Sequence, residues 1–131
     1  MKVFGTICIS ENNRILLVRG AKTGKWSFPK GHLKTSEMGQ ECALRELREE
    51  TGVDLKGHTY AAFRKLFAGE YYVYYIQEVE PVPQDTAEVQ EAGWFSWQDL
   101  VDMDIETLNA DIKRFLSGSS NRGLLYQSKS S

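Results

Sequence analysis

The residues best placed to do chemistry are three carboxylates within five positions, Glu46, Glu49 and Glu50. On a helix of 3.6 residues per turn, residues three and four apart are neighbours on one face. The three carboxylates therefore fan out over one side. Like charges at this spacing weaken an isolated helix. An all-oxygen, multiply anionic cluster suits a hard cation such as Mg²⁺ or Mn²⁺. The bland alternative is a solvated acidic face.

The surrounding spacing separates the two readings. Gly31 is followed after five residues by Glu37, and after seven more by Arg45-Glu46. Then come Leu47, one free position, Glu49-Glu50, one free position, Gly52 and Val53. At average residue usage, a chance match to so many fixed positions is on the order of 10⁻⁹ per start point. Residues 31–53 resemble the Nudix box, G-x5-E-x7-R-E-U-x-E-E-x-G-U with U aliphatic, at every specified position. The resemblance implies an α+β fold, an α/β/α sandwich around a mixed sheet. It implies hydrolysis of a nucleoside diphosphate linked to another group, with Mg²⁺ or Mn²⁺ as cofactor. By the same resemblance, Glu46, Glu49 and Glu50 hold the metal, joined by the main-chain carbonyl of Lys30. Arg45 orients, and Gly31, Glu37 and Gly52 are structural. The general base is left between Glu88 and Glu91, or a carboxylate within the box.

The substrate rests on the preceding stretch. Trp26-Ser27-Phe28-Pro29-Lys30-Gly31-His32 resembles the W-x-x-P-K-G-H lead-in of Nudix enzymes that cleave diadenosine tetraphosphate and other dinucleoside polyphosphates. Lys25, Lys30, Lys34 and His32 are then expected at the phosphates, with Lys22 nearby. Trp26 and Tyr74 are the aromatic candidates for the base, the alternative for each being plain packing. Messenger-RNA caps and inositol pyrophosphates are alternative substrates. The rival of another class is an inactive nucleotide- or RNA-binding module, but such modules usually lack a box glutamate, and this chain has them all.

Positioning these groups takes a modest set of elements. β-branched residues 2–10 and the run 14–18 read as a hairpin, apolar enough to be buried on both faces. Residues 19–30 read as a loop with Trp26 or Phe28 in the core. The box helix is expected over 36–51, capped by Thr35 or Ser36, with Ala43, Leu44 and Leu47 toward a sheet. Gly39 and Cys42 are expected to leave room beside the acidic patch. Gly52 stands where a helix end wants a left-handed residue. A long hairpin, 60–68 with 70–79, alternates Tyr72, Tyr74 and Ile76 with Tyr71, Val73 and Tyr75. A loop over 81–87 leads to a strand ending at Trp94-Phe95. Ser96 and Asp99 suggest a capping box for a helix over 97–103. A last helix is expected over 104–116, with Ile105 among its inward residues, and a frayed tail over 117–131.

The chain has 131 residues, 41% hydrophobic and 26% charged, which suits one globular domain. Its net charge of −2 gives no global basic field for a long nucleic acid, so a small phosphate-rich partner is expected. Cys8 and Cys42 form no metal-spaced pair. Without a signal peptide or a membrane-length apolar run, a cytoplasmic setting is expected.

Overall fold

The computed structural model describes residues 1–127. Among these, seven strands form one mixed sheet. They are β1 (Val3–Ser10), β2 (Arg14–Gly20), β3 (Trp26–Ser27), β4 (Lys30–Gly31), β5 (Ala62–Leu66), β6 (Gly69–Ile76) and β7 (Val89–Ser96). The central order is β3-β2-β1-β6-β5, with β4 on β1 and β7 on β2. β1 and β6 run parallel, and the other pairs are antiparallel.

Period-two alternation sorts the side chains of this sheet between two layers. Ile7, Ile9, Ile15, Leu17, Tyr71 and Val73 face one way. They meet Leu100 of α2 (Trp97–Asp102), Ile112 and Phe115 of α3 (Ala110–Ser117), and Leu124 and Leu125. Cys8, Leu16 and Tyr74 face the opposite way, onto Leu47 of α1 (Gly39–Thr51). Helices thus cover both faces, which is why β1 and β2 read as continuous apolar runs. Both cysteines are free and buried. No described helix is long and apolar enough to cross a membrane.

Three expected boundaries are corrected. The box helix starts at Gly39 with Met38 as N-cap, not near residue 36. Ser36 has a positive φ of 66°, and Glu37 N–H donates to the Lys34 carbonyl, so 34–37 is a turn. Glu37 is held by that turn for another task, described below. The helix expected over 104–116 is divided. A 3-10 turn, Ile105–Thr107, precedes α3, and Ile105 is 63% exposed. The tail expected from residue 117 instead carries α4 (Ser119–Arg122) and α5 (Leu124–Gln127). Leu124 and Leu125 close the core there, while 128–131 lie outside the described residues.

Candidate active site

The site is built where α1 passes the short β4 strand. Gly31 permits that approach. A Cβ at this position would run into the Glu46 carboxylate, with Glu46 Cγ only 2.8 Å away. Next to it Glu50 is 8% exposed, and its Oε1 accepts from the Lys30 amide at 3.4 Å. Burial, and after it the neighbouring Glu46 carboxylate, push Glu50 well above the usual carboxylate range. Two carboxyl groups, one almost dry, thus share a small space, and positive charge brought there is favoured.

Arg45 braces the opposite side. Its Nε and Nη2 donate to Glu37 at 2.7 and 3.0 Å. Nη1 reaches Glu46 at 3.1 Å and Glu49 at 3.2 Å, and Nη2 also donates to the His32 carbonyl at 3.1 Å. One guanidinium therefore ties the turn at 34–37 and the lead-in segment to the helix face. Hydrogen bonds from Arg45 draw the Glu37 carboxyl down to about 2 from an ordinary 4.5. A group held low in the folded state stabilises the fold fully above its unfolded pKa and loses that contribution as pH falls. Comparing melting temperatures of wild type and Glu37→Gln should show a constant gap above pH 4.5 that closes as pH falls toward 2. A gap independent of pH over that range would mean that the ion pair carries no net stability.

As the side chains stand, no group of three His, Cys, Asp or Glu residues among those described is close enough together to ligate one ion. Glu46 and Glu49 are each turned toward Arg45. Glu49, with a side chain 33% exposed, is the freer of the two to turn away.

Two cavities meet at this point. One, about 410 Å³, is lined by Glu46, Glu49, Glu50 and Arg45, with His32 and Lys34 at its side. The other, about 250 Å³, is lined by Lys22, Lys25 and Lys30 among others. Lys30, Glu50 and Glu88 border both.

Glu88 and Glu91 are sharply distinguished by their places. Glu91 lies on β7 and pairs with Arg19 at 3.2 Å, and it lines neither cavity. Glu88 sits in the loop before β7, which is pinned from two sides. The amides of Gln84 and Asp85 both donate to the Glu49 carbonyl at 2.9 Å, and that of Val82 donates to Thr51 at 2.8 Å. These bonds satisfy carbonyls that a helix end leaves unpaired. The Glu88 carbonyl in turn accepts from Ala21 at 2.9 Å. The loop is thus a fixed bridge between α1 and the turn after β2.

A larger cavity of about 550 Å³ lies beyond the C-terminal end of α1, lined by Asp54, His58 and Glu80 among others. It includes none of the box glutamates.

The NUDIX domain family model matches residues 1–117. The chain belongs to the Nudix family. Among curated proteins it is similar to the m7GpppN-mRNA hydrolase of Saccharomyces cerevisiae, 31% identical over 131 residues. That match takes in 93% of this chain but 13% of the yeast protein, so the chain spans a small part of that relative. Among solved structures, a Caenorhabditis elegans Ap4A hydrolase binary complex aligns with a TM-score of 0.67. It is 19% identical, with 97% of this chain and 95% of that one covered. A Francisella tularensis bifunctional NMN adenylyltransferase/ADP ribose pyrophosphatase, complexed with AMP and a Mn ion, aligns at 0.73 and 19% identity. There the coverage is 97% of this chain and 41% of that one. Likenesses at this identity establish the Nudix fold.

Within that fold, several side chains lie elsewhere than expected. Tyr74 is 1% exposed in the layer under α1, where its hydroxyl accepts from Gln40 at 2.9 Å. Trp26 packs edge-on against Phe95, centroids 4.7 Å apart, and borders neither cavity. Phe28 is fully buried, as the alternative for this pair of aromatics allowed. Gly39 leaves no room at the acidic patch: a Cβ there would meet the Phe4 ring at 2.7 Å. Cys42 is buried with Phe4 and Ala43.

One group carries no signal in the sequence. Asp111, 2% exposed, accepts from the Phe28 amide at 3.3 Å and the Tyr71 hydroxyl at 3.0 Å through Oδ2. Its Oδ1 accepts from Asn109 at 3.0 Å and the Ile112 amide at 2.7 Å. It anchors the lead-in segment from below, next to Pro29-Lys30. Asp85, which reads in the sequence only as part of a loop, also borders the acidic cavity.

Proposed function

We propose that this chain is a divalent-metal-dependent pyrophosphohydrolase acting on a small, phosphate-rich nucleotide, a dinucleoside polyphosphate such as diadenosine tetraphosphate first of all. The observation that carries the proposal is the buried Glu50 beside Glu46, bordered by Lys30, in a chain of the Nudix family. The donor set fits Mg²⁺ or Mn²⁺, being all oxygen and short of positive charge. Glu46, Glu49, Glu50 and the Lys30 carbonyl would hold the ion. When bound, it neutralises phosphate oxygens and makes a coordinated water acidic enough to attack near neutral pH.

The remaining roles belong to the protein. Lys30, Lys34 and His32 meet phosphate oxygens at the mouth of the acidic cavity, the lysines as point charges. Glu88 takes the proton of the attacking water. Arg45 holds Glu46 in place, and Glu49, the more exposed of its two neighbours on the helix, would be the one to leave it for the ion.

A second reading is favoured by the yeast relative, which points to the 5′ cap of messenger RNA. Both are tested by one panel with identified products. Diadenosine tetraphosphate with Mg²⁺ or Mn²⁺ should give AMP and ATP, and in ¹⁸O-water the label should enter one product alone. Capped RNA cleaved in preference to every dinucleotide would install the second reading. No hydrolysis of any member with either ion would contradict both.

A further inference from the structure

The cavity beyond the C-terminal end of α1, about 550 Å³, lies within the roughly 300–1,000 Å³ of sites that enclose a small ligand. Two anchored segments wall it. In the first, the His58 amide donates to the Leu55 carbonyl at 2.9 Å and the Lys56 amide to Asp54 Oδ1 at 3.0 Å. The second follows β6 and is fixed where Trp94 Nε1 donates to the Val79 carbonyl at 2.8 Å.

Two kinds of surface meet there. Ile76, Val79 and Val82 supply apolar walls, and Val79 and Val82 are 48% and 57% exposed. A single exposed valine needs no explanation, but two on one cavity leave apolar area that an occupant would cover. The charge is predominantly negative. Asp54 and Glu80 border the space with His58, and no lysine or arginine is among the described residues that line it. Neither carboxylate is in an ion pair among the described residues. The C-terminal end of α1 adds partial negative charge on the same side. Such walls fit a cation with an apolar body. An anion is repelled, and a neutral molecule of the same shape gains the apolar part alone.

The cavity also shares a wall with the acidic one. Val82 and Gln84 line the first, and Asp85 and Glu88 line the second. The Gln84 and Asp85 amides hang on one acceptor, the Glu49 carbonyl, and the Val82 amide on that of Thr51. A load on Val82 or Gln84 is therefore passed to Glu49 and along the loop toward Glu88.

We propose that this cavity is a binding site for a small organic cation with an apolar body, an aryl- or alkylamine, and that its occupant displaces the bridge that carries Glu88. Binding stands on the cavity alone. Its effect on turnover rests on the pyrophosphohydrolase reading above.

The probe is 2-phenylethylamine, with 2-phenylethanol as its neutral counterpart and 3-phenylpropionate as its anionic one. In an NMR titration in EDTA, the amine should move amides of residues 52–58, 77–80, 82 and 84. Its Kd should be on the order of 1 mM, ordinary for so small a probe. The alcohol should bind about tenfold more weakly, the loss of one charge-assisted interaction, and the propionate more weakly still. The Asp54→Asn/Glu80→Gln double variant should melt as wild type does, both residues being exposed. It should bind the amine about tenfold more weakly and the alcohol as before. Equal binding of the three probes, the same shifts with ammonium chloride, or a Kd indifferent to the double substitution would overturn the site. Shifts of these amides with protein concentration alone would overturn it too, by placing a second copy in the cavity.

The coupling has its own readout. Amides of Asp85 and Glu88 should follow the amine in the same titration. Because a displaced catalytic group costs rate, saturating amine should lower kcat on diadenosine tetraphosphate at least about threefold in wild type. The double variant should match wild type without amine and resist this loss. Shifts that stop at Gln84, or equal losses in both proteins, would overturn the coupling. If wild type hydrolyses nothing while the amine still binds and moves Asp85 and Glu88, the site stands and the catalytic reading fails.

Discussion

Replacing Glu50 by glutamine should lower kcat at least about a hundredfold while leaving the protein as stable as before or more so. The catalytic loss follows from removing a charged oxygen donor from the proposed metal cluster, a change on the scale of deleting one charge-stabilising catalytic element. The stability result has a separate cause. Glu50 is 8% exposed with Glu46 beside it, so its ionised form lacks solvent and meets like charge. Glutamine keeps the shape and ends both penalties. Its side-chain oxygen still suits the Lys30 amide. Steady-state kinetics at saturating Mg²⁺ and thermal melts in EDTA check the two halves independently. A folded variant with unchanged turnover removes Glu50 from the site.

Glu88→Gln should be the second large effect, on the order of a hundredfold in kcat, within the range a general base contributes. Glu91→Gln should cost little, because that carboxylate is spent on Arg19 outside both cavities. The Glu88 variant should still bind metal and nucleotide, and its pH–rate profile should lose the acidic limb. Full activity in both variants would return the base to Glu46, Glu49 or Glu50. Since the Glu88 backbone is tied to Ala21 and its loop to α1, the base is delivered by a fixed bridge. Turnover should therefore not depend on a closing motion of this segment.

The box was legible because its chemistry depends on short-range spacing along one helix. Arg45, Glu46, Glu49 and Glu50 are neighbours in sequence and in space, and Gly52 at φ 77° fills the expected left-handed position. The faces of the strands were legible for the same local reason, since alternation assigned Tyr71 and Val73 to one layer and Tyr74 to the other, whereas the parallel β1–β6 and the antiparallel β2–β7 pairings join segments far apart in sequence and carried no local signal. The errors arise where distant segments decide. Ser36 looked like a cap, but Arg45 pulls Glu37 into a turn and delays the helix to Gly39. Tyr74 looked free to stack until α1 was laid over it. Asp111 carries no local signal at all. In the first turn of a helix an aspartate is favoured by the dipole and is ordinarily solvated. Its partner Phe28 lies 83 residues away, so only the fold reveals it as the anchor of the lead-in segment. The glycine at 39 was misread because the side of the helix it occupies faces Phe4, not the acidic patch.

The central claim is that one divalent cation site forms at the box carboxylates. Paramagnetic broadening of amide signals by substoichiometric Mn²⁺ tests it most directly, without requiring a substrate. Residues 30–32 and 45–50 should broaden first in wild type, and Glu50→Gln should abolish this at the same Mn²⁺ concentration. Broadening centred instead on the separate cavity at Asp54, His58 and Glu80, with residues 45–50 untouched, would contradict it.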